Sequence, residues 1–186
     1  MRIVPTPIAA APSWPAEQQG GFDPRLVPAL IAGPGQDALR ARLAEPGALV
    51  VTTGQQPALF TGPLYAVHKA LSAAALARVL AERWQRSVVP LFWVAGDDHD
   101  YAEANHASWL RADGALHVET LPDRPASAAL RPMAREPLGA GVTAALAALT
   151  ADLAQYENHE PVVAWLGAHF RPGATVAAAS GAALAE

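Results

Sequence analysis

The sequence predicts an α/β fold built on a parallel β-sheet, and three observations carry that prediction. Two continuous apolar runs, Ala48 to Thr53 and Val88 to Ala95, have the composition of strands buried on both faces. Between them Leu64, Val67, Leu71, Ala75 and Val79 recur at helical spacing, with Arg78, Glu82, Arg83 and Arg86 largely off that stripe. Each run is followed by a polar loop, so strand, loop, helix, strand and loop succeed one another. A right-handed crossover of this kind brings both loops to one end of the sheet. In open α/β sheets ligands bind at that end.

The remaining elements follow in chain order. Residues 1–46 are rich in Pro and Gly, with one short helix predicted from Gln36 to Ala44. The crossover helix is predicted to begin after Gly62-Pro63 and to end near Gln85. Pro90 lies close to the start of the second strand, where its missing N–H is tolerated. Ser108 to Arg111 and Ala115 to Thr120 flank Asp113-Gly114, a two-residue hairpin signal. After a Pro-rich connection over 122–141, Val142 to Tyr156 reads as an Ala-rich helix. Pro161 is expected at the first position of another helix through Phe170, and Thr175 as the cap of a small-residue segment toward Glu186. The expected organisation is therefore an N-terminal segment (1–46), a βαβ half with its hairpin (47–121), and a connecting segment with helices (122–186), incomplete at the C-terminal end. There is no internal repeat.

Composition narrows the class of function. The chain has 186 residues, 52% hydrophobic and 16% charged, with a net charge of −4 and a pI near 5.8. At that size roughly 70% of the unfolded surface can be buried. The balance gives no electrostatic footprint for nucleic acid or an anionic membrane. There are no cysteines, which removes disulfides, thiolate nucleophiles and Cys-based zinc sites. Pro5 and Pro7 interrupt the start before a signal-peptide core develops. No run of about 18 apolar residues is free of charge, so no membrane span is expected and a cytoplasmic location is the default. Lys69 is the single lysine beside twelve arginines, a hint that a compact ammonium is wanted there.

Two loops carry the candidate chemistry. Thr53-Gly54-Gln55-Gln56-Pro57 leads through Thr61-Gly62-Pro63 into the helix. Gly54 is expected at the turn from strand to helix, where backbone N–H groups can meet a phosphate or carboxylate. Gln55, Gln56 and Thr61 crowd the same loop, and Tyr65 and Lys69 share one face of the helix that follows. The loop is neither a Walker A sequence nor a Gly-x-Gly-x-x-Gly fingerprint; the bland alternative is a βα turn facing solvent. The second loop, Asp97-Asp98-His99-Asp100, has Glu103, Asn105 and His106 close behind. A carboxylate-oriented imidazole can serve as general acid or base. The carboxylates can bind an ammonium or hydroxyls, and several Asp and His can ligate a metal; the bland alternative is a solvated turn with a capping Asp. His68 is expected on the helix surface, His117, His159 and His169 in structural positions, and Trp14, Trp84, Trp93, Trp109 and Trp165 in packing.

From about Leu49 to His106 the chain resembles the cysteine-adding enzymes of bacillithiol biosynthesis, the BshC family. The likeness rests on Thr-Gly-Gln-Gln-Pro, Leu-Phe-Thr-Gly-Pro-Leu-Tyr, the Lys69-Ala70 step, Val-Pro-Leu-Phe-Trp-Val-Ala and the Asp-His-Asp loop with Asn105-His106, and Phe170-Arg171-Pro172-Gly173 extends it. The resemblance implies a Rossmann-like core similar to nucleotidyl transferases and class I aminoacyl-tRNA synthetases. It implies a ligase that joins cysteine to glucosaminyl-malate by an amide bond, with ATP as the suspected activating cofactor. By that likeness Gly54, Gln55 and Gln56 meet the ligand in a synthetase-type signature loop; many members have His where Gln55 stands, so no imidazole role is assigned there. Asp98, His99 and Asp100 are the catalytic candidates. Thr61, Gly62, Tyr65, Lys69, Asp97, Asn105 and His106 complete the substrate- or nucleotide-binding set, and no residue is assigned to a metal. Members are several hundred residues longer and dimerise through a coiled coil, so this chain is expected to be an N-terminal portion. The rival readings are a metal-dependent hydrolase or phosphoesterase using Asp97, Asp98, His99 and His106, and an inactive fragment that only binds a partner.

Overall fold

In the computed structural model, β1 (Leu49–Gln55) and β2 (Val88–Val94) pair in parallel, with Leu49 opposite Val88 and Gln55 opposite Val94. The structure describes residues 19–33, 35–122, 124 and 127–186. Trp14 and the opening segment Met1 to Ile8 lie outside them. A short helix α1 (Asp37–Arg42) precedes β1, inside the range expected for it.

The first strand runs two residues further than its apolar composition suggests. Gly54 and Gln55 are ladder residues, so Gly54 does not form the turn toward the helix. Its lack of a side chain has another cause: a Cβ there would lie 2.6 Å from the Trp93 carbonyl oxygen and 2.8 Å from Trp93 Cβ. Glycine lets β2 approach, and the ladder continues through it. The expectation of strands buried on both faces also fails. Residues of β1 are only partly buried and Trp93 is 63% exposed, because among the described residues this sheet has two strands.

The crossover helix α2 (Leu64–Trp84) packs on both strands. Its buried positions are Ala66, Ala73, Ala77 and Leu80, whereas Leu64 and Leu71 from the expected stripe are largely exposed. The helix is apolar around much of its circumference, so periodicity does not single out a face. Contact is made through small alanines that let the helix axis approach the sheet. By length and composition α2 could cross a membrane; in this fold it is the connection between two paired strands. It ends at Gln85, a left-handed cap whose Nε2 donates to the Glu82 carbonyl at 2.7 Å.

A second, larger core is built from the rest of the chain. After α3 (Tyr101–Ala104), β3 (His106–Leu110) and β4 (Leu116–Thr120) form the expected antiparallel hairpin. Its loop has three residues between Arg111 and Ala115 and not two, with Gly114 at φ 79° and its N–H on the Arg111 carbonyl. A turn closed by a left-handed Gly produces the same Asp-Gly signal as the shorter loop. His117 on β4 stacks on Trp109 and lies 2.9 Å from Asp152 and 3.1 Å from Glu119, a structural position as expected.

Helices α4 (Gly141–Leu153), α5 (His159–His169) and α6 (Val176–Ala185) complete this core around Leu59, Phe60, Met133, Val142 and Phe170. α5 begins two residues before Pro161, which therefore sits third in the helix, still among N–H groups that have no partner in the helix. Thr175 caps α6 as predicted, its Oγ1 accepting from Ala178 N at 3.2 Å.

Gly54→Ala is expected to destabilise the chain by about 1–3 kcal/mol through overpacking against Trp93, read as a lower urea midpoint. The open strand edges, together with exposed Trp93 on β2 and exposed Leu64 and Leu71 on α2, are expected to drive concentration-dependent association. Light scattering across a dilution series checks this, and a constant monomer mass would contradict it.

Candidate functional site

Beyond Gln55 the chain enters a buried 3-10 turn, Leu59–Thr61, in which Phe60 and Thr61 take φ values of 52° and 70°. A left-handed β-branched residue costs on the order of 1–3 kcal/mol and persists only where its surroundings fix it. Here Phe60 packs edge-on against Phe170 at 5.5 Å. Ser180 of α6, itself buried, donates to the Ala58 carbonyl at 2.8 Å and accepts from Ala58 N at 3.2 Å. The turn is thus bolted to the large core, and Gly62 at φ 73° completes the reversal into α2.

The second loop leaves β2 at Ala95 and is held by backbone bonds to the Pro-rich connection. Met133 N donates to the Asp98 carbonyl at 2.7 Å and Ala134 N to the Gly96 carbonyl at 2.8 Å. Within the loop Asp98 Oδ1 accepts from Asp100 N at 2.9 Å, and Asp100 Oδ1 caps α3 by accepting from Glu103 N at 3.2 Å. The capping role weighed for an Asp in this loop is therefore present alongside any other.

The two loops meet through one side chain. Gln56 Nε2 donates to Asp98 Oδ2 and lies 3.4 Å from Glu103 Oε2. Around this contact is a cavity of about 290 Å³. Gln55, Gln56, Tyr65, Asp98, Asp100, Glu103 and His106 supply its polar wall, and Pro57, Ala58, Pro63 and Met133 part of its apolar one. The Asp98 carboxyl is held below the ordinary carboxylate range, first by the Asp100 backbone N–H and then by the Gln56 amide. It stays ionised at neutral pH.

Lys69 lies in a different place. Its Nζ donates to the Gly54 carbonyl at 3.3 Å and to Gln55 Oε1 at 3.0 Å, 5.1 Å from the Tyr65 ring centre. It lines an open groove of about 360 Å³ between β1 and α2, with Val51, Thr53, His68 and Leu76. That groove holds no carboxylate, so acid–base and ammonium chemistry belong to the smaller cavity.

Other expected site residues are not gathered there. Asp97 and His99 are exposed and outside the cavity wall. Thr61 and Gly62 shape the turn. Asn105 is buried and donates from Nδ2 to the Leu121 carbonyl at 3.1 Å, closing the base of the hairpin. The resemblance implied a place for it in the binding set, but immediately before β3 it is turned inward. Glu103 and Met133 are wall residues beyond the expected set: Glu103 was legible as the third residue after a capping Asp, Met133 only from the fold. Among the described residues no group of three His, Asp or Glu side chains is placed to hold a metal ion.

Residues 36–186 match the family model described as "Bacillithiol biosynthesis BshC, N-terminal Rossmann-like domain". The chain belongs to this family. Relatives named "Putative cysteine ligase BshC" include one from Chlorobium phaeobacteroides, 34% identical over 142 residues, which is 76% of this chain and 25% of the relative. Another, from Heliobacterium modesticaldum, is 45% identical over 84 residues, 45% of this chain and 15% of the relative. A third, from Lysinibacillus sphaericus, is 56% identical over 62 residues, 33% of this chain and 12% of the relative. The chain thus matches a quarter or less of the length of these BshC relatives.

The Asp98 geometry has a pH consequence. A carboxyl with a depressed folded-state pKa contributes stability that is present above its ordinary value and lost as pH falls through the folded value. The loop contact is expected to survive acidification to below the ordinary carboxylate range. Gln56→Ala is expected to raise the Asp98 midpoint while the Asp100 N–H keeps it below ordinary. A carboxyl-carbon NMR titration checks this; an unchanged midpoint in Gln56→Ala would remove the contact between the loops.

Proposed function

We propose that this chain supplies the amine-binding part of a cytoplasmic bacillithiol-pathway ligase, one that joins cysteine to glucosaminyl-malate through an amide bond. The observation that carries the reading is the meeting of the Gln56 and Asp98 loops around one carboxylate-lined cavity at the C-terminal ends of two parallel strands. Family membership supplies the pathway.

The residues suit an amine. Asp98, held ionised, with Asp100 and Glu103 beside it, favours a group that arrives as an ammonium. Gln56 orients Asp98, and the small apolar wall at Ala58, Pro63 and Met133 accommodates uncharged atoms next to that group. Before attack on an acyl carbon the amine must lose a proton. His106, in the wall, is the imidazole assigned to that transfer.

A polyphosphate does not fit this cavity. Its wall carries three carboxylates and neither Lys nor Arg, while the Lys69 ammonium is engaged outside it. No activating step with ATP is therefore assigned to these residues.

The test is calorimetric titration of the 186-residue chain with glucosaminyl-malate and, separately, with cysteine. Binding of one or both is expected, weakened about tenfold or more by Asp98→Asn, the effect of losing a hydrogen bond to a charged partner. Incubation with both substrates and ATP is expected to yield no bacillithiol from this chain alone. Absence of binding, or binding indifferent to Asp98→Asn, would overturn the reading.

A further inference from the structure

We propose that Arg124 is a positioning residue of this site, clasping the Asp98–Asp100 loop by its backbone and tying it to α6. The proposal rests on the reading of that loop as the amine-binding wall, and its test separates the two.

Arg124 lies in the Pro-rich connection, outside any helix or strand, yet its side chain is only 13% exposed. Its Nη2 donates to the His99 carbonyl at 3.3 Å and to the Arg131 carbonyl at 3.1 Å. Its Nε stands 3.2 Å from Glu136 Oε2, an ion pair whose angle is not that of a hydrogen bond. The guanidinium carbon lies 5.0 Å from the centre of the Tyr101 ring. Two carbonyls, a carboxylate and an aromatic ring are met at once. A planar group with five N–H donors can do this, and a lysine ammonium on a flexible stem cannot.

The contacts fall where they matter. The His99 carbonyl lies between Asp98 and Asp100, so holding it holds the backbone from which both carboxylates project. Tyr101 follows directly and opens the helix that Asp100 caps. The other end of the clasp is anchored: the Glu136 carbonyl accepts from Val176 N at 3.0 Å, at the start of α6. Arg124 is not part of the cavity wall. It acts through the loop and not on a ligand.

Arg124→Lys keeps the positive charge beside Glu136 and removes the fork. In that variant, amide hydrogen exchange at residues 98–103 is expected to accelerate about tenfold or more while α2 and the hairpin keep the parent's protection. Arg124→Ala is expected to show the same local loss. Millimolar guanidinium, but not methylammonium, is expected to restore protection in Arg124→Ala. Glucosaminyl-malate binding is expected to weaken and recover in parallel.

Parental protection at 98–103 in Arg124→Lys, or no rescue by guanidinium, would overturn the proposal. A uniform loss of protection along the whole chain would do so too, because the residue would then serve the fold in general. If the parent binds no glucosaminyl-malate, the functional reading fails while the exchange and rescue results still decide the role of Arg124.

Discussion

The parallel contact between β1 and β2 is the constraint on which the site depends. Only the parallel register sends both chains out of the sheet at the same end, and only a close approach at Gly54 lets the ladder run on to Gln55 and Val94. Those last pairs place Gln56 and Asp98 within reach of each other. A side chain at residue 54 would push the strands apart just before the point where two loops from distant parts of the sequence must touch. Gly54 thus serves the cleft by packing, although its residue type suggested a ligand-facing turn.

The loop after β2 is held by chain that has no regular structure. Backbone donors at Met133 and Ala134, and the Arg124 guanidinium, bond to the carbonyls of Asp98, Gly96 and His99. Ser180 performs the same service for Ala58 on the other loop. Both sets of braces lead back to α6, through Val176 on one side and Ser180 on the other. The small residues of α6 let it lie close to the strand: a Cβ at Gly181 would be 3.3 Å from Val94 Cγ2. One short helix poor in large side chains therefore positions both halves of the cavity.

What was legible in the sequence follows the range of the interactions involved. The βαβ order, the hairpin, the Thr175 cap and the two polar loops are local patterns, and each is present. The buried face of α2 was not legible, since alanines and leucines both occur around it and only the sheet decides which face is covered. Asp113-Gly114 located the hairpin but not its loop length, because a left-handed Gly114 suits either turn. In the site, carboxylates and glutamines could be named from their loops. The inward turn of Asn105, the separation of Lys69 from the carboxylates and the arrival of Met133 all depend on contacts between distant parts of the chain.

The separation of Lys69 bears most directly on the proposed chemistry. A single ammonium placed among Asp98, Asp100 and Glu103 would neutralise part of their field and compete with an incoming amine. Instead Lys69 is turned onto the Gly54 carbonyl and Gln55 Oε1, against the Tyr65 ring, in the groove between β1 and α2. That contact fixes the Gln55 amide by its oxygen, so its NH₂ is the end left to meet a ligand. Gln56 in turn spends its own NH₂ on Asp98 and Glu103. In the proposed reading the adjacent glutamines therefore divide the work: Gln56 holds the carboxylates that attract the ammonium, and Gln55 offers a neutral donor to an oxygen of the same substrate.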